Sequence, residues 1–177
     1  MAYPNPLDFA RIPTAVLVAL DWRPYHFAIQ PYHYLIRMTH IVSMAAFFGG
    51  IAILDLRLIG IKRVTSLRSL ADQSLPWVYI TFVVAILSGV ALFLYDPVNV
   101  GSHAYFGPKL LLILLGMANA FLFGRTGYLA SLEPGSVAES TVPAFVRVAG
   151  AISLALWVGV MVCACLNVEA APRVLLR

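Results

Sequence analysis

The chain has 177 residues, of which 61% are hydrophobic and only 11% charged, whereas soluble domains carry about 25% charged residues. A chain this apolar cannot cover a water-facing surface, which excludes a soluble globular protein and leaves an integral membrane protein of one domain. The net charge of +4 is no nucleic-acid signal, because in a membrane protein the placement of Lys and Arg relative to the spans is what counts.

The predicted fold is all-α, a four-helix membrane bundle preceded by an N-terminal interfacial segment at residues 1–31. Met1 to Ala10 has no Lys or Arg, and the run TAVLVAL is short. This is not the pattern of a cleavable signal peptide, so the N-terminus is expected to be retained. Pro13 to Leu20 is expected to form a short helix on the membrane surface, with Trp22, Tyr25 and Phe27 as interfacial anchors. Four apolar runs follow within residues 32–177, over about 32–61, 75–95, 108–130 and 143–166. Each has the roughly 20 residues that a bilayer crossing needs. Pro31, Pro76, Pro108 and Pro143 fall at or near the starts of these runs, where the missing N–H costs nothing. The first link, GIKRVTSLRSLADQS, is polar and basic. The second, DPVNVGSHAYFG, is rich in turn residues, and the third, SLEPGSVAESTV, holds a Pro-Gly turn.

Alternating spans divide the 12 basic residues evenly. Arg57, Lys62, Arg63, Arg68, Arg125 and Arg147 fall on one side, and Arg11, Arg23, Arg37, Lys109, Arg173 and Arg177 on the other. Short loops weigh most in the positive-inside rule, and the first link is the densest basic cluster. That link is expected to be cytoplasmic, with both termini outside, periplasmic in a bacterial inner membrane.

The same alternation puts all four histidines, His26, His33, His40 and His103, toward one side. His33, Arg37 and His40 follow an i, i+4, i+7 spacing, one stripe of a helix. His33 and His40 differ in depth by about 10 Å, so they cannot ligate one small metal centre axially. His40 lies about two turns inside the apolar layer, where an ionisable residue is by default a functional site. A b-type haem takes His ligands from facing helices of a small bundle, and glycines let the flat macrocycle approach. On this reading His40 is the first axial ligand, with His103, or less readily Met38, Met44 or Met117, as the second. Gly49, Gly50, Gly89 and Gly116 provide the clearance. Arg37 and Lys109 hold the propionates or a quinone head group. The metal alternative is copper at the outer face, bound by His26, His33 and His103. Each group also has an ordinary reading. His40 is then a hydrogen-bonded packing residue, His33 and His103 are interfacial, Arg37 and Lys109 snorkel, and the glycines permit close packing.

Asp55 and Arg57 mark the far end of the first span. Two residues apart, they are no helix-face pair, and Asp55 is expected to pair with Arg125 or Arg147. Asn119 is expected to bond across the bundle. Trp77 belongs to an interface belt and Trp157 to the packing. Cys163 and Cys165 point about 200° apart on a helix and do not bridge. No nucleophile–base pair, phosphate loop or zinc-protease motif is present. An electron-transfer or accessory subunit therefore fits better than a self-contained enzyme.

The run from His40 to Gly60, HIVSMAAFFGGIAILDLRLIG, together with Pro76–Trp77, Ser88–Gly89, FGPK at Phe106–Lys109 and Asn119, resembles a group of small, uncharacterised bacterial four-helix membrane proteins over roughly residues 32–125. More distantly the chain is similar to CopD-like copper-resistance proteins and cytochrome b561-like proteins. The latter resemblance implies haem b and electron transfer linked to quinol or a periplasmic carrier. A transmembrane two-haem cytochrome needs histidines toward both faces, however, and this chain has them toward one. The expectations that follow are a b-type-cytochrome-like electron-carrying subunit at the outer face, a cofactor-free accessory subunit of a larger respiratory complex, or an outer-face copper-handling protein.

Overall fold

The computed structural model describes residues 11–61, 66–132 and 142–168. The basic pair Lys62 and Arg63, the Pro134–Gly135 turn, and Arg173 and Arg177 lie outside them. The described residues form helices and no strands. In chain order these are α1 (Thr14–Leu20), α2 (Arg23–Ile29), a 3₁₀ turn (Gln30–Tyr32), α3 (His33–Ile59), α4 (Leu67–Tyr95), α5 (Pro97–Gly101), α6 (Phe106–Arg125), α7 (Tyr128–Ser131) and α8 (Ala144–Val168). Four stretches are long and apolar enough to cross a membrane: Arg23–Ile59, Leu67–Tyr95, Phe106–Ser131 and Ala144–Asn167. The chain is an all-α, multi-pass membrane protein.

Two boundaries depart from the sequence reading. Pro31 does not break the path into the first span. It sits in the 3₁₀ turn, which joins α2 to α3 without interruption. The second span begins at Leu67 rather than near Leu75, so Pro76 is internal to α4. The cause is a cap. Ser66 Oγ accepts a hydrogen bond from Ser69 N–H at 3.3 Å, satisfying one orphan donor of the first turn. Pro76 then leaves the carbonyl of Asp72 without its helical partner, two turns from the helix start.

α3 ends where the pattern DLRLIG demands. Gly60 adopts φ 104°, the left-handed region. Gly60 N–H donates to the Arg57 carbonyl at 3.1 Å and Ile61 N–H to that of Leu56 at 2.9 Å. Those bonds are a Schellman-type ending that a side chain at residue 60 would strain. α5 replaces the expected open loop because Asp96 caps it, accepting from Asn99 N–H at 3.2 Å, with Pro97 at its first position.

The spans pack as a curved row, α4 against α3, α3 against α8, and α8 against α6. Each seam is built from a glycine filled by a side chain of its neighbour. A Cβ on Gly50 would lie 2.8 Å from Val78 Cγ2, one on Gly150 would lie 2.9 Å from Leu58 Cβ, and one on Gly159 would lie 3.1 Å from Leu112 Cδ1. Lipid offers apolar groups no reason to hide, so close backbone approach is what holds such helices together. For the same reason large residues such as Leu35, Leu87, Leu114 and Phe121 remain exposed. At mid-depth Phe47, Phe82 and Trp157 form an aromatic layer, with Phe47 edge-on to Trp157 at 4.6 Å.

The row does not close. α4 and α6 make no comparable seam. They meet at one end through stacked Phe93 and Phe106, 5.1 Å apart. At the other end α7 bridges them, where Arg68 Nη1 donates to the Leu129 carbonyl at 2.8 Å. Between these two closures lies a gap. The N-terminal segment caps the first end, with Leu17 of α1 buried against Gly101 of α5.

Candidate functional site

The four histidines do face one side, but they do not converge. His26 Nδ1–H donates to the Tyr95 carbonyl at 2.9 Å, and its ring stacks on Tyr95 at 4.3 Å. Tyr95 is the last residue of α4, so its carbonyl has no helical partner. Tyr25 OH donates nearby to the Ala91 carbonyl at 3.3 Å. His33 packs on the same tyrosine ring at 4.6 Å. His103 Nδ1–H donates to the Asn99 carbonyl at 2.7 Å, at the end of α5. His26 and His103 therefore serve helix ends, and His33 packs against a ring. Among the described residues no three of His, Cys, Asp and Glu are grouped to hold a metal ion.

His40 is the deepest of the four. Its Nδ1 lies 3.0 Å from the Ala85 carbonyl and 3.1 Å from Ser88 Oγ on α4. A carbonyl only accepts, so Nδ1 carries the hydrogen and Nε2 keeps a lone pair. A metal-ligating histidine uses the same tautomer. The clearance for a macrocycle is a separate question. A Cβ on Gly89 would lie 2.9 Å from His40 Cε1. The imidazole thus occupies the notch that Gly89 opens. Val78 occupies that of Gly50, Trp157 Cζ2 lies 2.9 Å from a Cβ on Gly116, and Gly49 faces open space outside the bundle. The glycines inside the bundle that were expected to admit a porphyrin, Gly50, Gly89 and Gly116, are filled by the chain itself, so these residues do not fit a haem there. Lys109, half-buried, is an electrostatic neighbour of both His40 and Cys163. It lies in the first turn of α6, while Arg37 is exposed. Cys163 is buried and Cys165 exposed, both as free thiols.

The other half of the bundle holds what the histidine pattern drew attention away from. Asp55 is only 2% exposed, about 6 Å short of the end of α3. It is not paired with Arg125, which lies over the Phe121 ring at 5.6 Å, nor with Arg147, which is exposed. Ser153 of α8 lies beside the carboxyl group in the same pocket wall, and Asp55 Oδ2 has no partner among the described residues. Beside it is a cavity of about 260 Å³ in the gap between α4 and α6, lined in part by Asp55, Tyr79, Asn119, Phe123, Tyr128 and Ser153. Asn119 Nδ2 donates to the Ala149 carbonyl at 3.1 Å, the expected bond across the bundle, and this pins α6 to α8 along the cavity wall. The mouth is formed by exposed Tyr79, Ala120, Gly124 and Gly127, all within membrane-crossing stretches. It opens to lipid.

An apolar pocket with a few convergent polar groups is the usual form of a ligand site. Sequence reasoning placed Asp55 at a helix exit and missed the cavity. The available signal was a carboxylate five residues inside a left-handed glycine terminus, on a helix with no cation at i+4 or i−4. The fold and its polar groups define a multi-pass helical membrane protein with an internal carboxyl-bearing cavity. No family model, curated protein or solved structure matches the chain.

Proposed function

We propose that the chain is a cofactor-free, membrane-embedded binding subunit that takes a lipid-soluble small molecule from the bilayer into the cavity between α4 and α6. The observation that carries this reading is the buried, unpartnered Asp55 Oδ2 beside an apolar cavity that opens sideways. A polar atom buried without a partner costs free energy on the order of 1–3 kcal/mol. A ligand group bonded to Asp55 removes that cost. The cavity of about 260 Å³ lies just under the roughly 300–1,000 Å³ of drug-sized sites. It therefore takes a head group or a single ring system, with any tail left in lipid. The membrane is the cytoplasmic membrane of a bacterium. The Asp55 end faces the cytoplasm and both termini the periplasm, because Arg57, Lys62, Arg63 and Arg68 crowd the short first link.

The test is native mass spectrometry of the protein released from membranes, with a reduced-minus-oxidised absorption spectrum of the same sample. The expected result is a flat spectrum and a retained small molecule, lost in Gly124→Phe. A Cβ on Gly124 meets nothing within 4 Å, so the phenyl group starts from open space at a residue that lines the mouth, where it is expected to obstruct entry. A b-type haem spectrum, or identical spectra of bound mass in both proteins, would overturn the proposal.

A further inference from the structure

We infer that the Asp55 cavity selects an organic cation with an apolar body; this rests on the uptake reading above and names its ligand class. The side chain of Asp55 is buried and meets one hydroxyl, that of Ser153. No ion pair reaches it among the described residues. Arg57, two residues away, is buried on another side of the helix, because positions i and i+2 diverge by about 200°. Arg125 and Arg147 are exposed, and Lys109 belongs to the opposite half with His40 and Cys163. A carboxyl thus lies inside the apolar layer with no cation paired to it among the described residues. Intramembrane ionisable groups face the bundle interior or a cavity and find partners there, and a positive group is the partner that favours the charged form of a carboxyl.

The walls fit the same ligand. Tyr79, Phe123 and Tyr128 surround the space, and aromatic faces attract a cation that has shed its water. Leu54, Leu58 and Leu75 add apolar surface for its body. The mouth runs from the middle of α4, at Tyr79, to the Asp55-side end of α6, at Gly124 and Gly127. Amphiphilic cations concentrate over that depth, with the charge at the headgroups and the body in the acyl region. A neutral quinol would use Asp55 Oδ2 as an acceptor equally well and would stack on the aromatic walls, but it would gain no cation–π attraction there and would leave the carboxyl without a counter-charge.

The test uses two probes of matched shape, the cation benzyltrimethylammonium and its neutral isostere neopentylbenzene. Each is equilibrated by dialysis with the full chain in phosphatidylcholine nanodiscs, with empty nanodiscs as the partition control. The cation is expected to bind, and Asp55→Asn to weaken it by about tenfold or more, while the neutral probe binds at least about tenfold more weakly and ignores that change. Equal affinity for the two probes, or a cation affinity unmoved by Asp55→Asn, overturns the cation assignment. The uptake reading survives that outcome if Gly124→Phe still excludes both probes. If neither probe distinguishes the unaltered protein from Gly124→Phe, both readings fall. Should Asp55→Asn not fold, the comparison of the two probes on the unaltered protein decides the same question.

Discussion

His40 and Gly89 are one packing unit. The imidazole stays in place through a hydrogen bond to the Ala85 carbonyl and through the missing Cβ beneath it. Gly89→Ala brings a methyl group within 2.9 Å of the ring and is expected to destabilise by about 1–3 kcal/mol. His40→Ala loses the hydrogen bond, worth on the order of 0.5–1.5 kcal/mol, and leaves a void. The double variant should cost less than the sum, with a coupling of roughly 0.5–3 kcal/mol, because alanine at 89 then fills space that the ring has left. Reversible unfolding in a mixed-micelle denaturant series measures all three, and strict additivity would show that the contact carries no energy. At the same scale, Asp55 and Asn119 divide into different jobs. Asn119→Ala removes one interhelical bond, on the order of 0.6 kcal/mol in a membrane protein. Asp55→Leu removes an orphaned polar atom. It is expected to leave stability unchanged or raise it while abolishing ligand retention. A loss of both would make Asp55 a structural residue.

Among the elements, the seams rank by what fills each glycine. Gly150 meets a backbone oxygen, that of Asp55, at 3.2 Å and Leu58 Cβ at 2.9 Å. Neither is the flexible end of a side chain. Gly150→Ala should therefore separate α8 from α3 and cost about 1–3 kcal/mol. Gly124→Ala meets nothing within 4 Å, and it should gain up to about 1 kcal/mol from helix propensity. The contrast between the two alanines, read in the same unfolding series, tests whether the seams hold the bundle together. Trp157→Ala empties the aromatic layer and is expected to cost about 3–5 kcal/mol. That layer also separates the histidine half from the Asp55 half, so the void should weaken packing on both sides of it.

For the whole molecule, the open row of helices matters more than the helix count. A closed four-helix bundle would leave no lateral mouth. Here Phe93–Phe106 and the Arg68–Leu129 bond close only the two ends of the α4–α6 gap. A cysteine pair that cross-links α4 to α6 near Tyr79 and Gly124 is expected to abolish ligand uptake. The orientation is testable at this scale as well. In a background lacking Cys163 and Cys165, a cysteine at Ser66 should react with an impermeant maleimide only after the cells are opened. A cysteine at His103 should react in intact cells. The reverse labelling would invert the orientation and put the mouth of the cavity near the outer leaflet.

Some of this was readable from the chain alone. Four apolar runs in a chain with 11% charged residues can only be satisfied as helices in lipid, because every backbone polar group must then bond within its own segment. The common side of the histidines follows from alternation, and the interhelical role of Asn119 from its polarity at mid-span. The start of α4 was hidden because Ser66 sits in a stretch whose composition reads as a loop, and one capping bond outweighed it. Tertiary structure alone decided which glycine met which side chain, and therefore that His40 fills the Gly89 notch where a cofactor had been expected. It also decided that Asp55 meets a serine and a cavity rather than an arginine. Such pairings depend on the order and rotation of helices about one another. In lipid these are set by close packing, and a linear pattern of apolar and polar residues does not encode that packing.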